Sequence, residues 1–141
     1  MRVGDPVRII SRVLNDLGIE DYARVLSSGR LLRIEIRYDP LKEERERLIL
    51  LKKKLHTIRR DRDSVRDHLI QQIDYLIDRL NKVSFERVLV SVATTDGITK
   101  IQKQLSLIQR EMTEKQSQAV EIRKLIRSLS SYIREYVRNS Q

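Results

Sequence analysis

The chain has 141 residues, 35% of them charged and 4% aromatic, with four Gly, no Trp and no Cys. That composition excludes a disulfide framework or a thiolate metal site, and it suits narrow apolar stripes on helices better than the pocket of an enzyme. Lys and Arg number 29 against 20 acids, a formal +9 with Arg supplying twenty of the bases, which favours a polyanionic partner.

Asp5-Pro6 is a helix start, a capping acid followed by Pro in the first turn. Ile10, Val13, Leu14 and Leu17 then recur at helical spacing and predict one buried face, and Gly18 supplies the left-handed stop. A second short helix is expected from Asp21 to Ser28, ended by Gly29. In LLRIEIRYD, Leu32, Ile34, Ile36 and Tyr38 alternate with Arg33, Glu35 and Arg37, the period of a strand. These elements form an expected N-terminal head, residues 1–39, which would cover the base of the hairpin described next, or a neighbouring subunit, through Ile10, Leu14 and Leu17.

Asp39-Pro40 repeats the start signal. Leu41, Leu48, Leu55, Leu69, Leu76 and Val83 then fall seven apart, with Arg62 interrupting, and Leu51, Ile58 and Val65 share the seam. The segment FERVLVSVATTDG, within 84–97, fits a helix face through Phe85, Val88, Leu89 and Val92. Its Val and Thr content and its closing Asp96-Gly97 favour a strand or irregular structure ending in a turn. A second heptad stripe follows at Ile98, Leu105, Met112, Ala119, Ile126 and Ile133, partnered by Ile101, Ile108, Ile122, Leu129 and Tyr136. The expected fold is mainly α. Residues 40–141 form a long antiparallel helical hairpin, a coiled coil, beside a small helical head with short β segments.

Arg62, Gln72, Arg79 and Lys115 fall at core positions by heptad count. In a hairpin closing at 84–97, Gln72 would face the Met112 region and Arg62 would approach Ile122. Long cationic side chains are expected to lay their methylenes along the seam and carry the charge outward; control of register is the alternative.

No motif places a triad, a phosphate loop or a metal set. His56 and His68 are twelve residues apart, roughly 18 Å on one straight helix. The acid pairs Asp63/Asp67 and Asp74/Asp78, one turn apart among arginines, read as surface ion pairs. A non-enzyme without cofactor, metal or catalytic residue is expected.

The chemistry-bearing stretch is LKKKLHTIRRDR, from Leu51 to Arg62. With Leu51, Leu55 and Ile58 in the seam, Lys52, Lys53, His56, Arg59 and Arg60 share one outward face, about two turns long. The C-terminal helix adds Arg123, Lys124, Arg127, Arg134 and Arg138, and antiparallel folding would return Arg123, Lys124 and Arg127 to Lys52–Arg60. Charge is uneven: +1 over residues 1–39, +4 over 40–83, −1 over 84–97 and +5 over 98–141. Phosphate contacts by such a face release counterions. Aromatic interleaving is absent, which favours backbone contact over base stacking.

Helix, Gly18 turn, short helix and strand over residues 5–38 resembles a helix-turn-helix with a wing, and the helix, β-turn, helix layout is similar to prefoldin-type chaperone subunits, from which the head departs. The leading expectation is a basic coiled-coil protein that associates with DNA or RNA through the phosphate backbone, as a homo-oligomer. The alternative is a coiled-coil assembly or regulatory protein that binds another protein at an acidic protein surface, as a structural component of a particle or a regulator of a nucleic-acid machine. No apolar run reaches the ~18 residues of a membrane span. The N-terminus lacks a hydrophobic signal core. An intracellular, cytoplasmic protein is therefore expected.

Overall fold

The computed structural model describes residues 5–58 and 64–140. These are mainly helical, with four α-helices and one three-stranded antiparallel sheet among the described residues. The chain divides into two units, each built from separate segments: residues 1–38 with 85–115, and 39–84 with 116–141.

In the first unit, helix α1 (Pro6–Asp16) starts as expected. The Asp5 carboxylate accepts hydrogen bonds from the Val7 and Arg8 amides at 3.1 and 3.4 Å, satisfying amides that the helix leaves orphaned. Gly18 takes φ 71°, and the amides of Gly18 and Ile19 return to the Asn15 and Leu14 carbonyls. This is a Schellman closure, with Leu14 and Ile19 both buried.

The second helix expected at Asp21–Ser28 is not formed. A 3-10 turn, Glu20–Tyr22, leads into strand β1 (Ala23–Ser28), which pairs with β2 (Leu31–Tyr38) across a two-residue turn whose Gly29 has φ 60°. Six residues gain more from a ladder with β2 than from an isolated, short helix. The winged helix-turn-helix layout therefore does not apply to residues 5–38.

Strand β3 (Phe85–Val92) completes the sheet on the other side of β2. Leu32, Ile34, Ile36 and Tyr38 are all buried, and they pack with Ile10 and Leu14 of α1 and with Ile98, Ile101, Leu105, Ile108 and Met112 of helix α4 (Thr95–Asn139). Ile10 and Leu14 thus pack with residues 98–112 and the sheet, not on the base of a hairpin. Asp96-Gly97 is not a turn but lies in the first turn of α4. A β-carbon at Gly97 would lie 2.0 Å from the Val92 carbonyl oxygen, so the helix starts against the end of β3 only because no side chain intervenes.

The second unit corrects the first heptad stripe. Residues 40–83 do not form one helix; they form α2 (Lys42–His56) and α3 (Ser64–Asn81). Arg45 bonds Asn81 at 2.9 Å, and Lys52 pairs with Asp74 at 2.7 Å. Residues 36 and 22 apart in sequence therefore meet, and α2 and α3 run antiparallel. α2 closes at Thr57, whose hydroxyl donates to the Lys54 carbonyl at 2.6 Å, and Arg66 reaches back to the Ile58 carbonyl at 2.5 Å.

Leu48, Leu51 and Leu55 of α2, Leu69, Ile73, Leu76 and Leu80 of α3, and Ala119, Ile122, Ile126 and Ile133 of α4 bury one core. The reversal resets the phase. Ile73 and Leu80 take the inner positions that heptad counting gives to Gln72 and Arg79. Gln72 is exposed beside Leu129 and Tyr132, not near Met112. Arg79 lays its guanidinium 5.9 Å from the Tyr75 ring centroid. Lys115 is half-buried; Arg62 lies outside the described residues.

Candidate nucleic-acid interface

Helix direction decides which cations meet. Arg123 pairs with Glu44 at 2.9 Å and donates to the Pro40 carbonyl at 3.3 Å. Near the other end of α2, Leu51 and Lys54 line a shallow groove of about 200 Å³ with Arg134, Val137 and Arg138. Numbers rise together on the two helices, so α2 and the second half of α4 run parallel. The expected return of Arg123, Lys124 and Arg127 to Lys52–Arg60 therefore does not occur, and Arg134 and Arg138 occupy that level instead.

The expected site residues divide accordingly. Lys52 does not share an outward face with Lys53 and His56; it turns to α3 and the Asp74 carboxylate. Arg123 is likewise engaged, by Glu44. Lys53, His56, Lys124 and Arg127 are exposed. Arg59 and Arg60 lie outside the described residues. Lys53, Lys54 and His56 fall in the last turn of α2, where positive charge also complements the carbonyl end of the helix dipole.

Residues 123, 127, 134 and 138 fall within about 60° of one another at ~100° per residue, a stripe roughly 22 Å long on α4. Its one intramolecular ion pair is Arg123–Glu44, among the described residues. On α2, Arg47 and Lys54 are two turns apart on the flank toward this stripe, and both are exposed. Lys54 shares the groove with Arg134 and Arg138; Arg47 and Arg127 are each one heptad earlier on the same flanks. The result is a groove with Lys54 against Arg134 and Arg138 over an apolar floor of Leu51 and Val137, and heptad spacing alone extends its two flanks to Arg47 and Arg127. α2 carries no acid after Glu46, and the only acid of α4 beyond Arg127, Glu135, falls off the stripe.

Arg47, Lys54, Arg134 and Arg138 are absent from the site expected from sequence. The signal was present only in part: the seven-residue spacing Arg47–Lys54 borders the apolar seam, whereas Arg127 and Arg134 fall at outer positions by heptad count. Assigning those flanks needed the direction of α2 against α4.

At the base of α2, the Arg45 guanidinium donates to both Asp39 carboxylate oxygens at 2.6 and 2.9 Å as well as to Asn81. The bond to Asp39 raises the Arg45 pKa above its ordinary value against the opposing effect of burial, so this cation is committed to the fold. Among the described residues, no cluster of three or more His, Asp or Glu side chains could hold a metal, and no helix is long and apolar enough to cross a membrane. Compared with known protein families, curated proteins and solved structures, the chain matches none.

Proposed function

We propose that this is a non-enzymatic, intracellular and cytoplasmic protein that binds the phosphate backbone of a nucleic acid as a homo-oligomer. The contact surface is the α2–α4 groove. The two helices meet there through their heptad seam as a short coiled-coil segment, and α3 closes the other side as the antiparallel arm of a helical hairpin. The observation that carries this reading is the opposition of Lys54 to Arg134 and Arg138 across one groove whose lining holds no acid; Arg47 and Arg127 extend its flanks by one heptad.

Arg forks match phosphate oxygens, and helices hold them at fixed intervals. Phosphate contact without aromatic side chains gives binding that ignores base sequence. Exposed Lys53, His56 and Lys124 add to the local field but border the groove less directly.

Two charge-reversal pairs test the assignment. Lys54→Glu with Arg134→Glu changes the groove. Lys124→Glu with Lys53→Glu changes exposed cations outside it by the same total charge. Affinity for duplex and single-stranded DNA and RNA falls strongly in the first protein and modestly in the second if the groove binds. Equal losses reduce the effect to net charge. Retained nucleic-acid affinity in both, with loss of binding to an acidic polypeptide, assigns the groove to an acidic protein surface instead.

A further inference from the structure

Strand β3 is an edge strand with no feature that blocks pairing along most of its length. It matches β2 one-to-one from Phe85 to Val92 without a bulge, and it contains no Pro, Gly or Lys. Val88, Val90 and Val92 project from the uncovered face and are 51%, 56% and 45% exposed. Leu89 points to the opposite, core-facing side with Ile34, yet is only partly buried. Sheets usually protect such an edge with charge, Pro or a bulge. Here the charged residues are confined to its start, where Glu86 pairs with Arg37, and Arg87 with Glu111.

We infer that a second copy of this chain pairs with β3 in antiparallel register about a two-fold axis at Leu89, joining two three-stranded sheets into one of six. This supplies an interface for the self-association proposed above and stands independently of nucleic-acid binding. A two-fold normal to the sheet keeps each residue on its own face, so the axis must fall on a residue, not between two.

Charge selects which residue. Glu35 is the β2 neighbour of Val88, and Arg33 is the β2 neighbour of Val90. An axis at Val88 sets Glu35 of one copy against Glu35 of the other across two valines. An axis at Val90 does the same with two Arg33 residues. The axis at Leu89 alone puts Arg33 of each copy in the row of Glu35 of the other. That register also stacks Val88 beside Val90 of the second copy twice, and Leu89 beside Leu89. Main-chain hydrogen bonds and these apolar cross-strand pairs supply the affinity; the charge rows choose the alignment.

Sedimentation equilibrium of the full chain reads the outcome. The wild type should reach twice the 16.7 kDa chain mass. Added salt should strengthen association by screening two copies of +9, whereas it weakens phosphate binding, so the two proposals fail separately. Val90→Lys should return the mass to one chain with its circular dichroism unchanged. Leu89→Cys, in a chain without cysteine, should give a disulfide-linked dimer on mild oxidation, and Val92→Cys should not. A wild type that stays monomeric at all concentrations overturns the proposal and leaves the edge to an extended segment of another protein. A dimer indifferent to Val90→Lys overturns it as well, and failure of Leu89→Cys to cross-link a dimer overturns the Leu89 axis.

Discussion

Three residues carry consequences that their type alone would not suggest. Arg45 holds Asp39 with two hydrogen bonds and Asn81 with a third, gathering the chain just after β2 and just before β3. Charge-assisted bonds of this kind are worth more than neutral ones, though partial exposure reduces the benefit. Arg45→Met should destabilise the protein by about 1–2 kcal/mol in urea unfolding; an unchanged midpoint would show the three bonds to be replaced by water at no cost. Ser130 is the one buried side chain among the described residues whose polar atom lacks a partner. It sits in the core face of α4 between Ile126 and Ile133, where a hydroxyl is desolvated without return. Ser130→Ala should raise stability by about 1 kcal/mol, and destabilisation would reveal a bond the hydroxyl makes. Gly97 is required by proximity to Val92, not by its dihedral angle. Gly97→Ala should cost roughly 1–3 kcal/mol through displacement of the β3–α4 corner, read from thermal unfolding.

The elements differ in how far sequence determines them. α1 was legible at both ends because its caps are local: Asp5 and Gly18 act within a turn of themselves. β2 was legible because its alternation is strict. The second stripe was legible along α4, where Ile98, Leu105, Met112, Ala119, Ile126 and Ile133 are all buried. The first stripe was right in its members, since Leu41, Leu48, Leu55, Leu69, Leu76 and Val83 are all buried, and misled only about continuity. Leu55 and Leu69 keep a multiple of seven across a chain reversal that neither Gly nor Pro marks, so the count ran through a break. β1 was missed because its pairing with β2 is a non-local gain that helix spacing does not register. The same blindness cost the site its composition, since Lys52 and Arg123 look available until Asp74 and Glu44 arrive from distant segments. The reversal itself is directly testable. On a continuous helix, Lys52 and Asp74 would stand roughly 33 Å apart, whereas here they touch. Carbodiimide coupling should therefore join Lys52 to Asp74 within one chain, detected as a single cross-linked peptide by mass spectrometry. Its absence, with other ion pairs coupled, would restore the uninterrupted helix.

At the scale of the whole molecule, charge is divided between the two units. Residues 1–38 with 85–115 carry 12 bases and 9 acids, net +3, while residues 39–84 with 116–141 carry 17 and 11, net +6. The helical unit, inserted between β2 and β3 and completed by the second half of α4, therefore holds two thirds of the excess and also the cationic groove. The sheet unit offers an apolar edge instead. The proposed phosphate contact and the proposed self-pairing thus fall on different units of the chain. Salt should move them in opposite directions, because screening weakens attraction to a polyanion and relieves repulsion between copies. The decisive measurement is the salt slope of nucleic-acid affinity. If four of the five groove cations neutralise phosphates on a duplex, log K should fall against log salt with a slope of about −3.6, at roughly −0.9 per contact. Arg134→Glu with Arg138→Glu should flatten that slope by about two contacts while leaving the helical content intact. A slope near zero in the wild type, or one that the folded double variant leaves unchanged, would contradict the α2–α4 groove as a phosphate-binding surface.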